Sequence, residues 1–241
     1  MALTDADKLM RVRRFYKEAM AGPVEGGHAI LLDGRPAKTA GGGRLITPTP
    51  SLAEVLAGEW AGQAEFIDFS YMPATRLAFT AIDRGAEAHA GLAREAARYA
   101  GSDTLCYPAT SPTPLVRRQD ALWTPWRGWA ERELGLRFKT AGEALHVSQP
   151  PETLAGVERI ADGLDNFSLA GLVFACGLYG SAILALAVQR RALDAVEAFD
   201  LSRLEEAFQA EQWGLDAEAE ARTEALREEA AMLERWFAAL A

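Results

Sequence analysis

Twenty consecutive residues without a formal charge, Leu169 to Val188 (LAGLVFACGLYGSAILALAV), constrain this 241-residue chain more than any other feature. About 20 apolar residues are enough to cross a bilayer as one helix. The same string suits a helix enclosed by other helices, because Gly171, Gly177, Gly180, Ser181 and several alanines let neighbouring backbones approach closely. The stretch stands alone, and the rest of the chain patterns as amphipathic elements. Pattern by itself leaves two readings open, a buried central helix and a single membrane span. In either, Asp165 or Ser168 supplies an N-cap and Gln189-Arg190-Arg191 restores polarity at the far end.

Charge narrows the choice of partner. The formal charge of -9 is uneven: residues 1 to 140 hold 18 Lys and Arg against 16 Asp and Glu, whereas residues 141 to 241 hold 7 against 18. A C-terminal part this acidic repels polyanions, so nucleic acid is not expected as a partner. It favours solubility and steering toward a basic protein surface. Cys106 and Cys176 have no C-x-x-C spacing, and His28, His89 and His146 lie in unrelated contexts. A disulfide scaffold and a Cys-rich zinc site are therefore excluded, and no metal site is expected. The opening MALTDADKLMRVRR lacks the apolar run of a signal peptide, and Asp5 and Asp7 argue against a transit sequence. The chain reads as cytosolic with free thiols.

Periodicity then gives the organisation. Leu9, Val12, Tyr16 and Met20 predict an amphipathic helix over residues 5–20. Asp33-Gly34 between His28–Leu32 and Arg35–Thr39 predicts a tight β-hairpin, followed by a short strand at Arg44–Thr47. Ser51 and Glu54 form a capping box that opens a helix to about Gln63. Phe66–Tyr71 reads as a strand, and Pro73 starts a helix that buries Leu77, Ala78 and Ala81. Beyond this the chain reads as helix, with a short one closed by Gly101 and a break at Thr110–Pro114. Trp123, Trp126 and Trp129 share a face and read as core, with Thr124 as cap and Pro125 at the first helical position. In the acidic tail Leu201, Leu204 and Phe208 face inward, while Glu205, Gln209 and Gln212 share another side with Glu206 beside them. Gly214 ends that helix, and Leu226, Leu233, Phe237 and Leu240 stripe the last one. The fold class is α+β: a small β-rich N-terminal domain, residues 1–80, followed by a larger all-helical C-terminal domain, residues 81–241.

Signals for catalysis are sparse. Gly41–Thr47 (GGGRLIT) runs into a strand and then prolines, so it cradles no phosphate, and no G-x-S-x-G, H-E-x-x-H or G-x-G-x-x-G occurs. Cys106 would act as a nucleophile only with His89 or His146 beside it; a buried small hydrophobe is the simpler reading. Glu205 and Glu206 are adjacent helix positions about 100° apart, which does not favour a shared acid–base cleft. No cofactor is expected. The competing reading is a small-molecule enzyme using Cys106 or a carboxylate in an interdomain cleft.

Six strings in order resemble one family: RRFYKEA (Arg13 to Ala19), LLDGRPAKT (Leu31 to Thr39), EWAGQ (Glu59 to Gln63), MPATRLAFTAIDR (Met72 to Arg84), YAGSDTLCY (Tyr99 to Tyr107) and SRLEEAFQAEQWG (Ser202 to Gly214). Together they resemble the ATP-twelve family, assembly chaperones that hold the α subunit of the F-type ATP synthase. Two departures stand out, Pro108 where the family has Arg and Thr124 where it usually has Asp. The resemblance implies a non-catalytic, soluble chaperone, monomeric when free, with Leu169–Val188 buried and no stable membrane insertion. It implies that the unassembled α subunit is the partner, its subunit interface shielded until the β subunit replaces the chaperone. An acidic residue of E-E-x-x-Q-x-x-x-W-G is implicated in function in this family. The matching positions here, Glu205, Glu206, Gln209 and Trp213, are the expected partner-binding residues. With 21 Arg against 4 Lys the source reads as a GC-rich bacterium, hence a cytoplasmic protein, or a mitochondrial matrix protein if the chain is a processed one.

Overall fold

Residues 12–141, 147–214 and 216–241 are described by the structure, a computed structural model. The architecture is α+β, and the chain divides into two compact units. One ends at Arg84 and also includes Ala238–Ala241; the other is Gly85–Phe237.

The first unit is built on an antiparallel sheet of β1 (Ala19–Val24), β2 (Gly27–Leu32), β3 (Arg35–Pro36) and β4 (Ile46–Thr47), ordered β1-β2-β3 with β4 also on β2. Asp33 and Gly34 turn the β2–β3 hairpin with φ of +48° and +81°, the conformation this turn requires at both central residues. The Asp33 carboxylate accepts the N–H groups of Glu18 at 2.8 Å and Lys17 at 3.0 Å. Those bonds hold its pKa below the usual carboxylate value. Helix α1 (Pro50–Ala61) covers β1 and β2 with Leu52, Ala53, Leu56, Ala57 and Trp60. Its cap is Thr49, whose hydroxyl accepts the Leu52 N–H at 3.2 Å, rather than Ser51; Pro50 then takes the first turn. Helix α2 (Pro73–Asp83) begins where the Glu59 carboxylate accepts the N–H groups of Ala74 and Thr75 at 2.8 and 2.7 Å. A carboxylate there satisfies orphan donors and complements the helix dipole.

Two expected elements also fail in this unit. Residues 5–11 of the expected first helix lie outside the described residues, and residues 12–18 are not helical. Arg13 bridges Phe66, the Arg14 N–H reaches the Glu65 carbonyl at 2.9 Å, and Ala19 opens β1. Val12 and Met20 are exposed; among the described residues of that apparent stripe only Tyr16 enters the core, donating its hydroxyl to the Trp60 carbonyl at 2.6 Å. Phe66–Tyr71 is not a strand either: beyond the bridge at Phe66 it becomes a single 3₁₀ turn, Phe69–Tyr71, capped by Asp68.

The second unit contains α3 (Gly85–Gly101), α4 (Thr113–Leu134), α5 (Pro151–Asp162), α6 (Asn166–Tyr179), α7 (Ala182–Gln189), α8 (Ala195–Ser202), α9 (Leu204–Trp213) and α10 (Ala217–Leu240) as far as Phe237, the rest of α10 belonging to the first unit. The uncharged stretch is buried, but as two helices. Gly180 takes φ +61° between α6 and α7, and the Ser181 hydroxyl caps α7 by accepting the Leu184 N–H at 3.1 Å. Every residue of Ala182–Val188 is buried, and α7 packs against α3, α4, α6 and α8. Among the described residues no helix is long and apolar enough to cross a membrane.

Two further boundaries differ from the sequence reading. α4 runs straight through Pro125, so Thr124 is no cap; its hydroxyl donates to Asp120 at 2.8 Å. The Trp123 indole, buried and donating to the Leu201 carbonyl at 2.9 Å, is among the contacts that hold α4 in place, offsetting an interior proline's cost of about 3 kcal/mol. Trp126 and Trp129 are half-buried, packed edge to face at 6.1 Å. The expected helix through Ser202–Trp213 is divided at Arg203 into α8 and α9.

Candidate functional site

Helix α9 is the least covered described helix to carry a resemblance string. Of its ten residues only Leu204 is buried. Glu205 and Glu206 occupy its first turn, where the helix dipole favours carboxylates. Their surroundings differ. Glu206 accepts a bond from the Arg203 guanidinium at 3.0 Å, and that guanidinium lies 5.6 Å over the Phe199 ring. Glu205 instead accepts from the Gln209 amide one turn on, at 3.4 Å. Trp213 at the C-terminal end is 80% exposed. Glu211 ties α9 to α4 through Arg118 at 2.7 Å, and Gly214 ends the helix at φ +80°.

The start of α9 forms one wall of an open cleft of about 590 Å³. Arg203, Glu205, Glu206 and Gln209 face Ser102, Thr104 and Tyr107 across it, with Tyr179 and Gly180 between. Two resemblance strings and the glycine break of the apolar stretch therefore meet at one place. Thr104 locks the meeting point: its N–H and hydroxyl both donate to the Gly180 carbonyl, at 3.0 and 2.8 Å. Asp103 beneath is fully buried and accepts from Leu105 N–H, Ser181 hydroxyl and Ile183 N–H. Burial pushes its carboxyl up to about 6 against the pull of those donors.

Of the expected site residues, the cleft takes Glu205, Glu206 and Gln209; Trp213 lies at the other end of α9, outside the cleft lining. Ser102, Thr104, Tyr107 and Arg203 were not singled out from the sequence. The available signal is the polar Ser-Asp-Thr run after a helix-closing glycine, a pattern suited to capping.

Cys106 lacks the environment of a nucleophile. It is buried, and desolvation together with the Asp103 charge pushes its thiol pKa up, away from thiolate. His89 is engaged elsewhere, with the Asn166 side chain at 2.8 Å and the Asp162 carbonyl at 3.0 Å; His146 lies outside the described residues. Cys106 and Cys176 are free and buried. Among the described residues no group of His, Cys, Asp and Glu is arranged to hold a metal ion.

The family profile described as ATP12 chaperone protein matches residues 13–131. Atp12 from Paracoccus denitrificans is 39% identical with a TM-score of 0.87, over 95% of this chain and 99% of that one. A single-residue mutant of the same Atp12p gives the same identity and TM-score, covering 98% of its chain. The Atu1473 protein of Agrobacterium tumefaciens is 37% identical with a TM-score of 0.88, over 95% and 86% of the two chains. Protein atp12, mitochondrial, of Schizosaccharomyces pombe is 27% identical over 215 residues, 84% of this chain and 74% of its own. The class is thus a chaperone of α+β fold. The chain belongs to the ATP12 chaperone family.

Proposed function

We propose that this chain is an assembly chaperone of the F-type ATP synthase, and that it binds the unassembled α subunit through Glu205, Glu206, Gln209 and Trp213. Family membership supports the class of function. The single observation that carries the surface is the exposure of α9: one residue of ten is buried, and Trp213 stands 80% exposed at its end. Tryptophan is the residue type most often found as the anchor of a protein interface.

An unassembled subunit displays faces destined for its neighbours, and large apolar faces aggregate. Covering one of them with α9 prevents this. Glu205 and Glu206 steer the encounter toward Arg and Lys of the partner, while Trp213 supplies desolvated apolar area. Release needs no bond made or broken. A permanent β-subunit interface that buries more surface displaces the chaperone by mass action. The place of action is wherever that head assembles, a bacterial cytoplasm or a mitochondrial matrix.

Mixing the purified chain with purified α subunit and resolving the mixture by gel filtration tests this reading. A one-to-one complex that dissolves on addition of β subunit is expected. The two proteins eluting apart at both low and moderate salt contradicts it.

A further inference from the structure

The first unit carries a second concave surface with no part in the reading above. It is a groove of about 710 Å³ with one side formed by Phe15, Tyr16, Trp60, Ile67, Phe69 and Phe79, and the other by the segment Arg35–Ala40. Five rings run through it in sequence. Phe15 to Tyr16 is 5.4 Å between centroids, Tyr16 to Trp60 5.8 Å, Trp60 to Phe69 6.1 Å and Phe69 to Phe79 5.7 Å. Phe15 is 66% exposed and Phe69 37%. Tyr16 and Trp60 between them are buried, so the groove opens on Phe15 and Phe69, exposed apolar rings of the kind that mark a binding surface.

Two observations specify the occupant. Lys38 is bridged to Arg44 through Thr39 N–H to the Gly43 carbonyl and Leu45 N–H to the Ala37 carbonyl, so its own N–H and carbonyl point away from Arg44, and they have no partner among the described residues. An edge in this state is a template for one more strand. The Arg35 and Lys38 side chains are exposed and form no ion pair among the described residues, while Asp33, the carboxylate beside them, is already taken by the N–H groups of Lys17 and Glu18.

We propose that this groove binds an extended apolar segment of a partner polypeptide that carries a carboxylate. Its backbone continues the edge at Lys38, alternate side chains reach the aromatic row, and the acid meets Arg35 and Lys38. The surface belongs to the first unit and does not depend on α9, so the two readings fail separately.

The test uses fluorescence polarisation of the full chain with two labelled probes, an alternating Val-Thr dodecapeptide bearing Asp residues and the same peptide bearing Lys. The Asp probe is expected to bind about tenfold or more tightly than the Lys probe. Phe15→Ser, at a ring 66% exposed, weakens it by about the same factor, and Arg35→Glu with Lys38→Glu reverses the preference; both variants change exposed side chains and keep the wild-type melting curve. Glu205→Lys with Glu206→Lys leaves Asp-probe binding unchanged. No binding of either probe, a preference indifferent to the charge reversal, or loss of binding in the α9 variant overturns the proposal.

Discussion

The Asp103 carboxylate accepts the Ser181 hydroxyl at 2.8 Å, joining the turn that carries the cleft residues Ser102 and Thr104 to the residue that caps the buried helix α7. The same carboxylate takes the Leu105 N–H at 3.0 Å and the Ile183 N–H at 2.9 Å. One buried charge thus fixes the Ser102–Cys106 turn against the break in the uncharged stretch. The cleft wall facing α9 is held from below.

Removing that carboxylate leaves three buried donors without an acceptor. Asp103→Ala is expected to destabilise the fold by about 3 kcal/mol or more, read as a lower midpoint in urea unfolding. A change within about 0.5 kcal/mol shows that the network does not hold the turn.

Asp103 also sets a pH dependence. Its folded-state pKa, about 6, lies above the ordinary 3.8, so between those values the folded chain binds the extra proton more tightly than the unfolded chain. Its contribution to stability is therefore greatest below about pH 3.8 and declines as pH rises to about 6. Asp103→Asn has no such titration. The difference in unfolding free energy should move against the wild type by about 3 kcal/mol between about pH 4 and 7; parallel pH curves contradict this.

Much of the fold was legible where a local rule acts alone. Asp33-Gly34 fixes its hairpin because few dipeptides accept two positive φ values, and Pro73 starts α2 because its missing N–H is no loss there. What was not legible depends on partners distant in sequence. β1 contains Gly22 and Pro23, which read as breakers. Yet an added Cβ at Gly22 would come within 2.6 Å of Leu31 Cδ1, and Pro23 sits on an edge strand, where its missing N–H leaves the ladder intact. Pro125 looks like a helix start unless the anchoring of Trp123 on Leu201 is known. At the site, Glu205, Glu206, Gln209 and Trp213 came from a resemblance string. The opposing wall could not be foreseen, because Thr104 and Gly180 meet only after the apolar stretch folds back.

Gly180 is where that fold-back is most sensitive. Its φ is +61°, and a Cβ there would lie 2.8 Å from Thr104 Oγ1. Gly180→Ala is expected to cost about 1–2 kcal/mol and to displace the Thr104 side chain, seen as a lower melting temperature with a changed Thr104 methyl resonance. An unaltered melting curve contradicts the strain.

His89 offers a second titration. Its two ring nitrogens face the Asn166 Oδ1 and Asp162 carbonyl oxygen, both acceptors, so the doubly protonated ring is favoured and its pKa is raised above 6.5. The stability this adds is fully present below pH 6.5 and is lost as pH rises through the folded-state pKa. An NMR titration should place the midpoint above 6.5, and His89→Ala should flatten the stability profile over that window. A midpoint at or below 6.5 contradicts the assignment.

The most direct measurement is calorimetric titration of purified α subunit with the wild-type chain and with Glu205→Lys and Glu206→Lys combined. Both side chains are exposed, so the variant should fold, its melting temperature lowered by the lost Arg203 pair and the reversed charge at the start of α9. Masking of the α subunit by α9 predicts binding weakened by about a hundredfold or more in the variant. Equal affinity for the two chains contradicts it.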